Sequence, residues 1–313
     1  MKTYSNILDL KSIRLKIIED CNWTCKFCHN EWDIEASSLQ WDSMLEEALK
    51  SLKEQLNITE VHLTWWEPTL NRNIPNLVVG CNKIWLDTKL TTNWQFSSKY
   101  AKMLWESWLS SINFSIQSLN PIILNNIMKV RKNILWAEKQ IDNIKNNILF
   151  IQKMWIKTKI NCVISWIKDI NRVQEVLEWG FDNNIETRIL DDLNNKKEAE
   201  LAINKLISLN KSKCVKIIKD PWSSWTKFVY EDYNKNSFIV KKILPVFLKE
   251  ICYNCDKMLR NNCKEWFYTI RMQKSKLLNT FIIILCTQER NKNTILTLDK
   301  FLKNNKEWYY GKI

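Results

Sequence analysis

Apolar and polar positions follow two rhythms along the first two thirds of the chain. Short runs with near-alternating apolar residues predict strands at Ser12–Ile18, Thr59–Thr64, Lys89–Thr92, Ser111–Ile116, Lys157–Ile164 and Ile185–Leu190. Between them, apolar residues recur at helical spacing, as Leu45, Ala48, Leu49 and Leu52 do within Ser43–Leu56. The same spacing predicts helices over Ile74–Ile84, Ser98–Leu109, Lys139–Met154, Ile170–Glu178 and Lys196–Leu209. Strand–helix units in unbroken succession predict an α/β fold, a partial (β/α)6 TIM-like barrel with a parallel sheet. Near Ser212 the rhythm breaks. The expected division is therefore a core barrel over 1–211 and a small, irregular, cysteine-rich region over 212–313.

Composition narrows the class. The chain has 313 residues, 45% hydrophobic and 26% charged, an ordinary globular balance rather than a disordered one. It holds no apolar run of about 18 residues, the length of a membrane-crossing helix. Residues 1–10 carry charges and no long apolar stretch, so no secretory signal is expected there. Ten cysteines in that setting predict reduced thiols used for metal or catalysis in a cytoplasm. The formal net charge is +13, but the excess is lysine scattered among Asn and Ile. A basic balance can serve nucleic acid or acidic small molecules, but an AT-rich genome gives the same lysine bias, so the charge is weak evidence for a nucleic-acid partner.

One count changes the picture. The sequence has 3 Gly and 17 Trp. Together they reach about 6% of the chain, close to the glycine share of about 7% in ordinary proteins. Several tryptophans stand where turns demand glycine: Trp94 after Asn93, Trp222 after Pro221, Trp225 after Ser224, and the pair Trp65-Trp66 between an apolar strand and Glu67-Pro68. The expectation is that many of these are glycine positions, as arises when a UGA codon that the source reads as Gly is translated as Trp.

The first strand leads directly into Cys21, Cys25 and Cys28, a C-x3-C-x2-C spacing. Loops at the C-terminal ends of barrel strands are where this architecture carries chemistry. A structural zinc site calls for four ligands; three thiols on one loop suit a 4Fe–4S cluster with one iron left open. The segment CNWTCKFCHNEW resembles the cluster loop of the radical S-adenosylmethionine (SAM) enzymes. With glycine at 65 and 66, Leu63–Leu70 would read LTGGEPTL, similar to that family's motif after the second strand. The resemblance implies that the open iron takes SAM and that its reductive cleavage yields a 5′-deoxyadenosyl radical that abstracts hydrogen from a substrate. It implies SAM contacts from Phe27, Trp65, Trp66, Glu67, Asn93, Ser115 and Asn161, with two 4Fe–4S clusters as the expected complement. An electron donor such as flavodoxin or ferredoxin is implied as partner.

A second constellation comprises Cys252, Cys255, Cys263 and Cys286. Four soft ligands satisfy either an iron–sulfur cluster or zinc. The surrounding segment resembles the C-terminal region of the cyclase-like branch of the radical SAM family, relatives of the enzyme that begins molybdopterin synthesis from GTP. That likeness implies an auxiliary 4Fe–4S cluster and a substrate contact from Arg271. Cys81, Cys162 and Cys214 read as small core residues. The leading expectation is a radical SAM enzyme acting on a small molecule or nucleotide. The alternatives are a radical SAM enzyme that modifies RNA or a peptide, and a zinc-binding protein without catalysis.

Overall fold

The computed structural model describes residues 4–6, 11–28, 38–64, 66–93, 97–129, 132–219, 225–243, 246–253, 255–259, 270–286, 294–304 and 309–312. A short β1 (Tyr4–Asn6) precedes the repeating part of the chain. There β2 (Ser12–Lys16), α1 (Ser43–Leu56), β3 (Glu60–Thr64), α2 (Ile74–Lys83), β4 (Asp87–Thr92), α3 (Ser98–Glu106) and β5 (Ser111–Ser115) follow in turn. Next come α4 (Pro121–Ile127), α5 (Ile134–Lys153), β6 (Lys157–Ile164), α6 (Ile170–Asp182), β7 (Glu186–Asp191) and α7 (Lys196–Leu209). The six strands β2 to β7 lie side by side in chain order, every neighbouring pair parallel. This is the expected α/β architecture. The sheet stays open, with different strands at its two edges. Helix α4 had no counterpart in the sequence pattern, and α5 begins at Ile134 rather than Lys139.

The local chemistry is consistent with the sequence. Asp42 caps α1 by accepting from the Leu45 N–H at 2.8 Å, and Leu45, Ala48, Leu49, Leu52 and Leu56 bury one face of the helix. Along β3, Val61 and Leu63 are fully buried while Glu60, His62 and Thr64 between them are half-buried, so successive side chains serve opposite faces of the sheet. Gly180 lets α6 approach β7 closely. A Cβ there would stand 2.2 Å from Thr187 Oγ1, a hard clash.

The helix-to-strand junctions repeat one backbone device. Asn57, Trp85, Trp108, Trp155, Asn184 and Lys211 follow α1, α2, α3, α5, α6 and α7, and all have φ between 48° and 65°. After α2, α3, α6 and α7, the next residue's N–H reaches back five residues: Leu86 to the Cys81 carbonyl, Leu109 to Leu104, Ile185 to Gly180 and Ser212 to Ile207. This is the left-handed helix ending that glycine fills most readily and asparagine next. Three of the six positions hold tryptophan instead, with Trp85, Trp108 and Trp155 exposed by 85%, 81% and 96%. Trp225 opens a strand and is not among the positive-φ residues; Trp65, Trp94 and Trp222 lie outside the described residues.

Residues beyond 212 extend the same sheet at both edges. On one side β8 (Lys213–Lys219), β9 (Trp225–Glu231) and β10 (Ser237–Ile243) form an antiparallel meander, and β10 runs parallel to β7. After β11 (Val246–Leu248), α8 (Lys249–Cys252) and α9 (Asp256–Leu259), the chain returns to the other side. There β12 (Ile270–Lys274) pairs parallel with β2 and continues into antiparallel β13 (Phe281–Ile284) and β14 (Ile295–Thr297). Helix α10 (Leu298–Lys303) packs on β13 and β14. The terminal β15 (Tyr309–Lys312) joins β1 and β11 in a small second sheet. Among the described residues, no helix is long and apolar enough to cross a membrane.

Candidate functional site

Three consecutive strand ends converge. The loop after β2 carries Cys21, Cys25 and Cys28; the turn after β3 carries Glu67; the end of β4 carries Asn93. Glu67 is fully buried and sits at the centre of the hydrogen bonding. Its Oε1 accepts from the Thr69 N–H (3.0 Å), the Thr69 hydroxyl (2.5 Å) and the Thr92 hydroxyl (2.5 Å), and its Oε2 accepts from the Asn93 N–H (2.6 Å). Its own N–H donates to the Asp20 carbonyl beside the first cysteine. Burial raises the Glu67 carboxyl above its ordinary range, against the pull of these donors.

Asn93 passes the connection on. Its Nδ2 donates to Asn22 Oδ1 at 2.7 Å and lies 3.8 Å from Cys21 Sγ. Burial pushes the Cys21 thiol up to about 11 and the Cys25 thiol up to about 12, and each also feels the neighbouring cysteines of the loop. Two thiols that resist ionisation so close together suit a site where a cationic centre compensates the thiolates. Among the described residues no group of three or more His, Cys, Asp or Glu is gathered as a single-ion site. The backbone at Trp66 has φ 51°, the region glycine tolerates.

The other expected SAM contacts are placed as follows. Phe27 is half-buried in the cysteine loop. Ser115 and Asn161 are register partners on β5 and β6, and the Ile116 N–H donates to the Asn161 carbonyl at 3.1 Å. Asn161 Oδ1 is buried without a hydrogen-bond partner, an acceptor left open on β6. Trp65 lies outside the described residues.

The second cysteine set is only partly described. Cys252 ends α8 and Cys255 follows one turn later, its N–H donating to the Cys252 carbonyl at 3.2 Å. Cys286 is buried after β13, and Cys263 lies outside the described residues. Cys81 and Cys162 are core residues as expected; Cys214 is exposed on edge strand β8 instead.

Sequence reading missed a layer of basic residues on the concave face of the sheet. His62 on β3 is held well below its ordinary range by burial and by Arg14, Lys89, Lys241 and Lys159. Lys241 on β10 is likewise depressed by burial, Arg188, Lys227, Arg14 and Lys159. Burial and Arg188 bring Lys159 down to about 8. Strands β2 and β10 stand at distant places in the strand order, yet Arg14 acts on Lys241. The sheet therefore curls until these side chains face one another. Two acids share the layer: Glu60 pairs with Lys89, and Glu186 with Arg188 at 2.5 Å. Arg188 also donates to Asn113 (3.4 Å), which donates to Thr91 (3.2 Å). Arg271, the expected substrate contact, is the register partner of Arg14 and is 1% exposed. The available signal was the alternation itself, since Arg14, His62, Lys89, Lys159 and Arg188 are the polar alternates of apolar strands.

Residues 15–163 match the family model described as the radical SAM superfamily. Among curated proteins, the chain is 26% identical over 180 residues to a probable GTP 3′,8-cyclase of Sulfolobus acidocaldarius, covering 57% of this chain and 54% of the relative. It is 25% identical over 192 residues to the GTP 3′,8-cyclase of Nautilia profundicola (59% and 57%). A longer match, 23% over 270 residues, joins it to the Campylobacter fetus GTP 3′,8-cyclase (82% and 78%). The chain thus spans just over half the length of the first two relatives. Among solved structures, Streptococcus suis SuiB has a TM-score of 0.50 at 18% identity, covering 64% of this chain and 47% of that one. The anSMEcpe structure with bound AdoMet and Kp18Cys peptide has a TM-score of 0.50 at 16% identity (64% and 59%). These two likenesses speak for the fold alone.

Proposed function

From a radical SAM domain at residues 15–163, in a chain similar to the GTP 3′,8-cyclases, we propose an enzyme that cleaves SAM reductively and abstracts hydrogen from a nucleotide held inside the barrel. The observation that carries this reading is the linkage of Cys21, Asn93 and Glu67 across three adjacent strand ends. Cys21, Cys25 and Cys28 would hold a 4Fe–4S cluster; bound there, the cluster and SAM supply the electron and the hydrogen-abstracting radical. Glu67 fixes the end of the β3 turn against β4, so the backbone at 66–67 is held beside the cysteine loop. Asn161 Oδ1 offers an acceptor to a ligand donor. Phe27 and Ser115 complete the proposed SAM surface.

The basic layer supports a phosphorylated substrate. Arg14 and Arg271, side by side, present forked donors suited to phosphate, and Lys159, Arg188 and Lys241 add positive charge in a buried setting. A buried anion there would restore the ionised state of lysines that burial otherwise disfavours. Cys252, Cys255, Cys263 and Cys286 are proposed to hold the auxiliary cluster in the region 212–313.

We infer further that the working protein carries glycine at Trp65, Trp66, Trp85, Trp108 and Trp155. Positive φ at four of these positions supports it. So does the groove of about 850 Å³ walled by Trp85, Trp105, Trp108 and Trp155, since an apolar hollow of that size on the face opposite the site is made by the indoles themselves. Indoles at 65 and 66 would fill the space beside the cluster that SAM needs. Anaerobic reconstitution of the Trp65→Gly/Trp66→Gly chain tests both readings, through iron content and SAM binding set against the unchanged chain. Iron loading with SAM binding supports them, and zinc loading with no SAM binding favours the non-catalytic alternative.

A further inference from the structure

We propose that the outer face of the cysteine loop is the docking surface for a small acidic one-electron carrier protein, recognised by Lys26, Lys129 and Lys132. The inference rests on the cluster reading above and adds the route by which the electron arrives. The loop has two sides. Cys21 and Cys25 are half-buried, whereas Cys28 is exposed, so residues 26–28 form the side open to solvent.

That side is braced by the segment after α4. Cys25 forms an isolated antiparallel bridge with Met128. Around it, the Lys26 N–H donates to the Ile127 carbonyl at 3.0 Å, and the Lys129 N–H donates to the Thr24 carbonyl at 2.5 Å. The bridge fixes the backbone of Lys26 and of Lys129, each one residue past a bridge partner. Lys26 Nζ is held further by the Asn126 carbonyl at 2.6 Å. The Lys132 N–H donates to Asn125 Oδ1 at 3.0 Å, which brings a third exposed lysine to the same rim. The same rim also exposes Ile134 (45%) and Leu135 (76%) at the start of α5. Among the described residues, the acids nearest in sequence to this rim are Asp20, ahead of the loop, and Glu138, one turn into α5.

A cationic rim around exposed apolar side chains is the surface that a transient, oppositely charged partner fits. Redox encounters bury little area, so charge complementarity sets their rate and orientation. One electron leaves the reduced carrier and one enters the cluster, with no bond made or broken at the contact.

The test is binding of oxidised flavodoxin, an acidic flavoprotein, to the reconstituted protein, followed by flavin fluorescence. Raising salt from about 50 to about 300 mM should weaken binding about tenfold or more, as screening removes charge attraction. Lys26→Glu/Lys132→Glu should weaken it at least as much, while Lys213→Glu/Lys216→Glu on distant β8 should leave it unchanged. Lys132→Glu alone, outside the loop, should give an intermediate loss. In parallel, flavodoxin-driven SAM cleavage should fall in the double variant while dithionite-driven cleavage persists. Unchanged affinity in both rim variants, or affinity indifferent to salt, overturns the docking surface. The cleavage arm uses the chain with Gly at 65 and 66; absence of dithionite-driven cleavage in that chain with its lysines intact overturns the cluster reading instead, and the binding arm still decides the surface.

Discussion

The Asn93 N–H donates to Glu67 Oε2 at 2.6 Å, while the Asn93 side chain reaches Asn22 and the Cys21 sulfur. One residue thus ties the acidic turn after β3 to the cysteine loop after β2. Glu67→Ala would leave two hydroxyls and two N–H groups without their acceptor in a buried site. The expected loss is about 3 kcal/mol or more in urea unfolding, together with loss of SAM binding. Glu67→Gln keeps an acceptor oxygen and should lose less stability. Equal stability of Glu67→Ala and the parent would mean that this network does not hold the strand ends.

Trp85, Trp108 and Trp155 occupy one conformation at three equivalent junctions. Replacing each with Gly should raise stability, because a bulky residue at positive φ costs about 1–3 kcal/mol and glycine's extra unfolded-state entropy costs about 0.5–1 kcal/mol. The triple variant should unfold at higher urea and aggregate less, having lost its exposed indoles. A triple variant less stable than the parent would argue that the tryptophans are native to these turns.

How far the sequence could be read depended on whether an element carried its own rhythm. Strands β2 to β7 and most of their helices did, since alternation and helical spacing are local. Helix α4 did not, because Pro121–Ile127 is too short to establish a period. Residues 213–248 looked irregular since their pairing is set by the edge of β7, a contact distant in sequence. At the site, Cys21, Cys25 and Cys28 declared themselves by spacing. Arg14, Lys159, Arg188 and Lys241 looked like ordinary lysines and arginines until the curl of the sheet brought them together.

Asp191 ends β7 and is almost fully buried, and burial raises its carboxyl to about 6 from 3.8. A raised carboxyl pKa favours the protonated fold. Its cost to stability is absent below the unfolded value and complete above about 6, on the order of 2–3 kcal/mol. Asp191→Asn should therefore stabilise the protein at pH 8 and have little effect at pH 3.5. Denaturant unfolding at the two pH values checks this, and an equal effect at both would contradict it.

Lys241 faces Arg14, Arg188 and Lys159 across the curled sheet. If this layer holds substrate phosphates, Lys241→Met should weaken nucleoside triphosphate binding about tenfold and nucleoside binding much less. Calorimetric titration with both ligands separates the outcomes. Equal losses for the two would place the phosphates elsewhere.

The central claim is that Cys21, Cys25 and Cys28, braced through Asn93 by Glu67, support reductive cleavage of SAM. Its most direct measurement is 5′-deoxyadenosine formed from SAM and dithionite by the anaerobically reconstituted chain carrying Gly at 65 and 66. The account predicts steady formation in that chain and none once Cys21, Cys25 and Cys28 are all replaced by Ala. Undiminished 5′-deoxyadenosine from the triple-Ala chain, or none from the reconstituted chain with Gly at 65 and 66 and its iron in place, would contradict it.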